Sequence, residues 1–171
     1  FLEKLFKGEP RQKLQRFLAV YCDFLVQRRL SKCDFFIGMS GLFSASQSYA
    51  KAHFNALTIC ERGSTHALHQ SFVLKSLGSS EISLDVTIAA ELSDYACYDK
   101  ISIPSKRVAT TFLEQGVKKT KLMVNPYGVD LTSFKPSASI ERSEKNISGL
   151  FVGRWGLRKG ADIIKKVLEH S

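Results

Sequence analysis

The stretch Ile101-Ser-Ile-Pro-Ser-Lys-Arg-Val-Ala-Thr-Thr-Phe-Leu-Glu-Gln-Gly116, followed by Leu122-Met-Val124, decides the fold. Ile101 to Ile103 reads as a short strand, and Pro104 ends it, since proline has no amide hydrogen to give a ladder. Ser105 follows at the position where a hydroxyl can accept from a helix's free amides. The helix it opens runs to Gln115. Gly116 closes it, because glycine takes the left-handed cap conformation without a side-chain penalty. Leu122 to Val124 is a strand again. Strand, helix and strand in that order make a parallel pair joined by a crossover.

The same alternation extends in both directions. Pro10 suits the first turn of a helix to about Leu30, with Leu14, Phe17, Leu18, Tyr21, Phe24 and Leu25 at helical spacing. Arg11, Lys13, Arg16, Arg28 and Arg29 decorate it. Such a helix usually packs on a sheet, and lying on a membrane surface is the alternative. Asp34 to Gly38 reads as a strand, Met39 to Gly41 as a turn, and a weak helix continues to about His53. Asn55 to Cys60 is the next strand, then comes the polar loop Glu61 to His66 and a helix from Ala67 to Leu77. Gly78 to Ser80 is a loop. Glu81 to Asp99 reads as mostly helical, with Ile82, Val86, Ala89 and Ala90 buried. Asn125 to Gly128 reads as a turn.

Near the end, Leu150 to Val152 reads as a buried strand. It runs into Gly153, Arg154, Gly156, Arg158, Lys159 and Gly160, and then a helix from Ala161 to Glu169. Ile163, Ile164, Val167 and Leu168 share one face of that helix. The pattern as a whole predicts an α/β fold with a parallel sheet covered by helices. Ligands of such sheets bind beyond the carboxyl ends of the strands. Three loops qualify: Gly38 to Gly41, Glu61 to His66, and Gly153 to Gly160. The last suits phosphate. Its glycines admit close backbone approach, the helix start favours an anion, and the Arg and Lys neutralise charge. Its spacing is neither the dinucleotide fingerprint nor a P-loop, so a plain turn with solvated charges remains the alternative.

Composition narrows the classes. Of 171 residues, 44% are hydrophobic, enough for a core, and no apolar run reaches membrane-spanning length. No signal-peptide pattern opens the chain, which starts at Phe1 and reads as an internal piece of a longer protein. Cys22, Cys33, Cys60 and Cys97 show no Cys-x-x-Cys spacing, which fits a reduced, cytoplasmic setting. A net charge of +9 suits anionic partners. The basic residues are scattered, without a nucleic-acid motif, so no nucleic-acid partner is expected. No metal-ligand spacing occurs, so no metal is expected.

Three segments together resemble a family. Ile101-Ser-Ile-Pro-Ser105 with Phe112-Leu-Glu-Gln-Gly116 looks like the "ILVPS…FLEEG" stretch of retaining glycosyltransferases of the GT-B fold, glycosyltransferase group 1. Asn125-Pro-Tyr-Gly-Val-Asp-Leu131, with Phe134 and Pro136, resembles the link between that family's two domains. Phe151-Val-Gly-Arg154 and Lys159-Gly160 resemble its "FVGR…KG" opening of the second domain. Order and spacing agree over roughly residues 94–169. The match upstream is weaker. Asp34 to Gly41 is similar to a strand and turn of some members, and Cys60 to His66 to a "CDRGSSH" loop of one subset, with Glu61 for Asp.

The resemblance implies a Rossmann-like parallel sheet and the start of a second Rossmann-like domain. Residues 1–135 would belong to the acceptor-side domain, 136–148 to a linker, and 149–171 to the first strand and helix of the nucleotide-sugar domain. The paired glutamates that bind the donor sugar in the family fall beyond Ser171, so this piece alone should be inactive. The implied reaction moves a hexose from a nucleotide-sugar to a sugar or lipid-linked acceptor with retention, without a cofactor. Peripheral contact with the inner face of a membrane is compatible with such an acceptor. Gly153, Arg154 and Lys159 match positions that hold the donor diphosphate. His66 stands in a loop like the one carrying the family's histidine near the reacting sugar, although His53 and His69 compete for that role. Arg62, Gly63 and Ser64 are candidate acceptor or sugar contacts. Capping of the following helix, or facing solvent, is the alternative for His66. A non-catalytic nucleotide- or partner-binding module on the same scaffold is the alternative for the whole chain.

Overall fold

A computed structural model describes residues 9–78, 85–135 and 149–170. The chain divides into two compact units, residues 1–71 with 83–126 and residues 72–82 with 127–171. The linker expected at 136–148 lies outside the described residues.

The first unit is α/β. Helix α1 spans Glu9–Arg29, followed by strand β1 (Phe35–Met39), helix α2 (Ser44–Phe54) and strand β2 (Leu57–Glu61). Helix α3 (Ala67–Ser76) starts in this unit, then come helix α4 (Asp85–Cys97), strand β3 (Lys100–Ile103), helix α5 (Lys106–Leu113) and strand β4 (Leu122–Val124). The four strands form one sheet in the order β1-β2-β3-β4. Every pair is parallel, with Ile37 beside Ile59, Cys60 beside Ile101, and Ile101 beside Leu122. This is the parallel arrangement that the strand–helix alternation predicts, and it is consistent with the Rossmann-like sheet that the resemblance implies.

Parallel crossovers are right-handed almost without exception. A sheet that steps in one direction therefore carries its crossover helices on one face. Phe36, Cys60, Ile101 and Ile103 of the strands meet Ala50, Ile88, Tyr95 and Phe112 of the helices, with Tyr98 just after α4, in one core. On the opposite face Phe35, Ile37 and Met39 are exposed. The expected covering of the sheet thus holds for one of its faces.

The decisive stretch folds as read. Ser105 accepts the Val108 amide at 3.2 Å. At the other end Gly116 (φ +81°) and Val117 donate to Leu113 and Phe112 carbonyls, and Val117 packs against the core. Those paired bonds absorb the helix's last free carbonyls.

Four expectations need correction. The apolar face of α1 does not form a seam, since Phe17 is 66% exposed and Leu18, Tyr21 and Phe24 are exposed too. The helix is anchored by the buried Asp23, which accepts the Ala45 and Ser46 amides at 2.8 and 2.9 Å and so caps α2. In α4 the buried stripe is Ile88, Asp94 and Tyr95, with Leu92 partly buried, while Ala89 is exposed. The burial expected of Ile82 and Val86 lies outside the described residues. Asn125 to Gly128 forms no turn; Asn125 extends β4 by donating to Ile103, and the turn comes at Leu131–Ser133, capped by Asp130.

The fourth correction concerns the second unit. Leu150 to Val152 is not a strand, and Leu150 and Val152 are 91% and 81% exposed. An apolar run becomes a strand only when a neighbour takes its amides and carbonyls, and no strand of the described residues pairs with it. The helix that follows does form, as α6 (Ala161–Glu169), behind a short 3-10 turn over Leu157–Lys159. Its apolar residues Ile163, Val167 and Leu168 are exposed.

Candidate functional site

At the carboxyl end of the sheet the loops after β1 and β2 meet. Ser40 donates its amide to the Glu61 carbonyl at 3.2 Å, and Arg62 donates its amide to Ser102 of β3 at 2.9 Å. Gly38 is required here by space. A Cβ on it would strike the Tyr98 hydroxyl and crowd the Phe36 ring. Gly41 turns the chain at φ +79° and donates its amide to Asp94 at 2.6 Å.

Asp94 also accepts the Ser44 hydroxyl at 2.6 Å. Burial raises its carboxyl pKa, against the pull of those two hydrogen bonds. Asp94 and Asp23 together hold the two sides of the start of α2. Neither carboxylate was singled out from the sequence. The available signal was a charged residue inside an apolar helical stripe, since Asp94 lies between Leu92, Tyr95 and Tyr98.

Arg62 is held rather than presented. Its guanidinium donates to Glu91 and Gln70, each at 2.8 Å, twice to the Thr65 carbonyl at 3.2 Å, and to the Ser40 hydroxyl at 3.4 Å. Its side chain and that of Glu91 are 12% and 13% exposed. A guanidinium has five N–H donors, and this network engages them. Ser64 donates to Gln70 at 3.3 Å, and Gly63 is exposed at the loop's tip.

His66 is buried, at 3% exposure, between the rings of Tyr95 and Phe112. Its amide donates to Thr111 at 3.0 Å, and its Nδ1 accepts the Leu68 amide at 3.3 Å. It therefore caps α3. Desolvation, then the charges of Arg62 and His69, lowers its pKa to about 4. A neutral ring accepting at Nδ1 carries its proton on Nε2. His53 instead stacks on Tyr49 at the exposed end of α2.

Cys60, beneath this loop, has its thiol pushed up to about 12 by burial and by Asp94. A thiol in that state is not a nucleophile. Among the described residues, no group of three or more His, Cys, Asp or Glu side chains could hold a metal. No helix among them is long and apolar enough to cross a membrane.

Gly153, Arg154 and Lys159 lie in the second unit. Gly153 adopts φ +144° and Gly160 φ +73°, both in the range that favours glycine. Arg154 and Lys159 are exposed. Phe151 and Trp155 meet edge to face at 5.1 Å, so Trp155 packs within the loop. Lys159 ends the 3-10 turn, and α6 begins two residues later. Asp162 stands in the first turn of α6. It already occupies the positive end of that helix, so an anion bound there would rest mainly on the two cations.

Searches against protein-family models, curated proteins and solved structures yield no match.

Proposed function

We propose that the chain comes from a retaining GT-B glycosyltransferase that moves a hexose from a nucleotide-sugar to a sugar or lipid-linked acceptor on the cytoplasmic side of a membrane. The observation that carries this reading is the loop Gly153–Gly160. It exposes Arg154 and Lys159 directly before a helix, between two glycines of positive φ. The parallel sheet of the first unit supports it.

The chemistry follows from charge. Breaking the sugar–phosphate bond builds negative charge on the leaving diphosphate. Cations fixed at that position stabilise the transition state more than the bound substrate, so they raise the rate and not only the affinity. Arg154 offers a planar fork that matches phosphate oxygens, and Lys159 a compact charge. Gly153 keeps the approach to the backbone open.

A second reading is favoured by Arg62 and His66. Both are engaged structurally, which leaves the loop after β2 as scaffold. On that reading the protein binds a nucleotide or a partner without transferring sugar.

Incubating the full-length protein with UDP-, GDP- and ADP-sugars, and measuring nucleotide release, separates the two. The transferase reading expects release from one donor, abolished by Arg154→Ala and by Lys159→Ala in folded protein. Nucleotide binding without release from any donor would select the binding module.

A further inference from the structure

A second candidate site lies along the helices of the first unit. A groove of about 740 Å³ opens there beside α4 and α5, reaching from His66 and Leu68 after β2 to Asp99, Lys100 and Lys121 at the amino ends of β3 and β4. Leu68, Leu92 and Val117 give it an apolar lining, with His66 among them. Its rim carries Lys51, Lys100, Lys118 and Lys121 against a single carboxylate, Asp99.

The carboxylate is already spent. Asp99 pairs with Lys51 and accepts the Thr58 amide at 2.9 Å and hydroxyl at 2.8 Å. Burial alone would raise its pKa, but those partners bring it down to about 2. Lys100 and Lys121 each donate to one carbonyl, Thr120 at 2.7 Å and Ala96 at 2.8 Å. An ammonium has three donors, so these bonds leave both lysines with capacity for an anion. Lys118 is exposed beside them. Burial lowers the pKa of Lys121, and a bound anion would relieve that cost.

We infer that this groove binds a small organic anion, with its carboxylate or phosphate against Lys100, Lys118 and Lys121 and an aromatic or short aliphatic body over Leu68, Leu92 and Val117. The volume falls in the range of small-molecule sites, which combine apolar walls with a few placed charges. The groove borders the loop after β2 through His66 but does not depend on the transferase reading.

The test uses the full chain and two matched probes, 8-anilinonaphthalene-1-sulfonate and its uncharged counterpart N-phenyl-1-naphthylamine, with inorganic phosphate as a third. Amide chemical-shift mapping locates each probe. The sulfonate is expected to saturate with shifts centred on Leu68, Ala96, Gly116 and Val117. Lys118→Glu should weaken it by about fivefold, the scale of an exposed ion pair. Gln115→Trp, at an exposed lining position, should block it while leaving the circular dichroism spectrum unchanged. Shifts centred on α1 or on Phe35, Ile37 and Met39 would overturn the proposal. So would equal affinity for the neutral probe, or phosphate binding as tightly as the sulfonate. Mapping on the unsubstituted chain decides the matter even where a variant fails to fold.

Discussion

The loop Glu61–His66 and the loop Gly153–Gly160 look alike in sequence. Each places glycine and arginine between an apolar run and a helix. In the structure they differ. Arg62 meets Glu91 from α4 and is enclosed, whereas Arg154 and Lys159 are exposed. A basic loop is therefore not defined by its own residues. It becomes scaffold when a distant carboxylate encloses it, as Glu91 does Arg62. Arg62 became scaffold through a residue 29 positions away.

The largest effect that would break this contrast is the loss of the Arg62 clamp. Arg62→Ala strands Glu91 in a nearly closed site, and removing one partner of a buried pair costs roughly 3–5 kcal/mol. Urea unfolding measures it. A loss below about 1 kcal/mol would mean that Arg62 behaves like an exposed surface cation.

Acid sharpens the contrast next. The His66 pKa is about 4 in the fold, against an ordinary value near 6.5 in the unfolded chain. The unfolded state therefore takes up the proton first. Stability is full above pH 6.5, falls as pH drops toward 4, and levels off below it. The shift corresponds to roughly 3 kcal/mol. Unfolding curves for the parent and for His66→Phe between pH 4 and 7 should diverge by that pH-dependent part. Parallel curves would place His66 in solvent.

A smaller effect concerns the cap. Ser105→Ala removes the acceptor for the Val108 amide and should cost about 1 kcal/mol. Equal stability of parent and variant would show that water replaces the hydroxyl. The smallest effect is expected in the other loop. Arg154→Ala and Lys159→Ala should each stay within about 0.5 kcal/mol of the parent, as surface substitutions do. A larger loss in thermal unfolding would make this loop scaffold as well.

The parallel sheet was legible because its signals are local. Pro104, Ser105 and Gly116 punctuate a strand and a helix within sixteen residues of sequence. What escaped the sequence was tertiary. The helical spacing of Phe17, Tyr21 and Phe24 is real, but Asp23, on another side of α1, makes the anchor. The apolar run Leu150–Val152 has strand character, but strand formation needs a partner that periodicity cannot report. The sequence places His66 in a polar loop before a helix. Its role in capping α3 depends on Thr111, Tyr95 and Phe112, which lie far along the chain.

The most direct test of the central claim, that the loop Gly153–Gly160 is the open anion site, is calorimetric titration of the full-length protein with UDP, GDP and ADP. The account predicts that one of them binds. It also predicts that Arg154→Ala and Lys159→Ala each weaken that binding by about tenfold or more, the scale of a lost charge-assisted hydrogen bond, while Arg62→Lys leaves it unchanged. Binding that survives both substitutions, or no binding of any of the three, would contradict it.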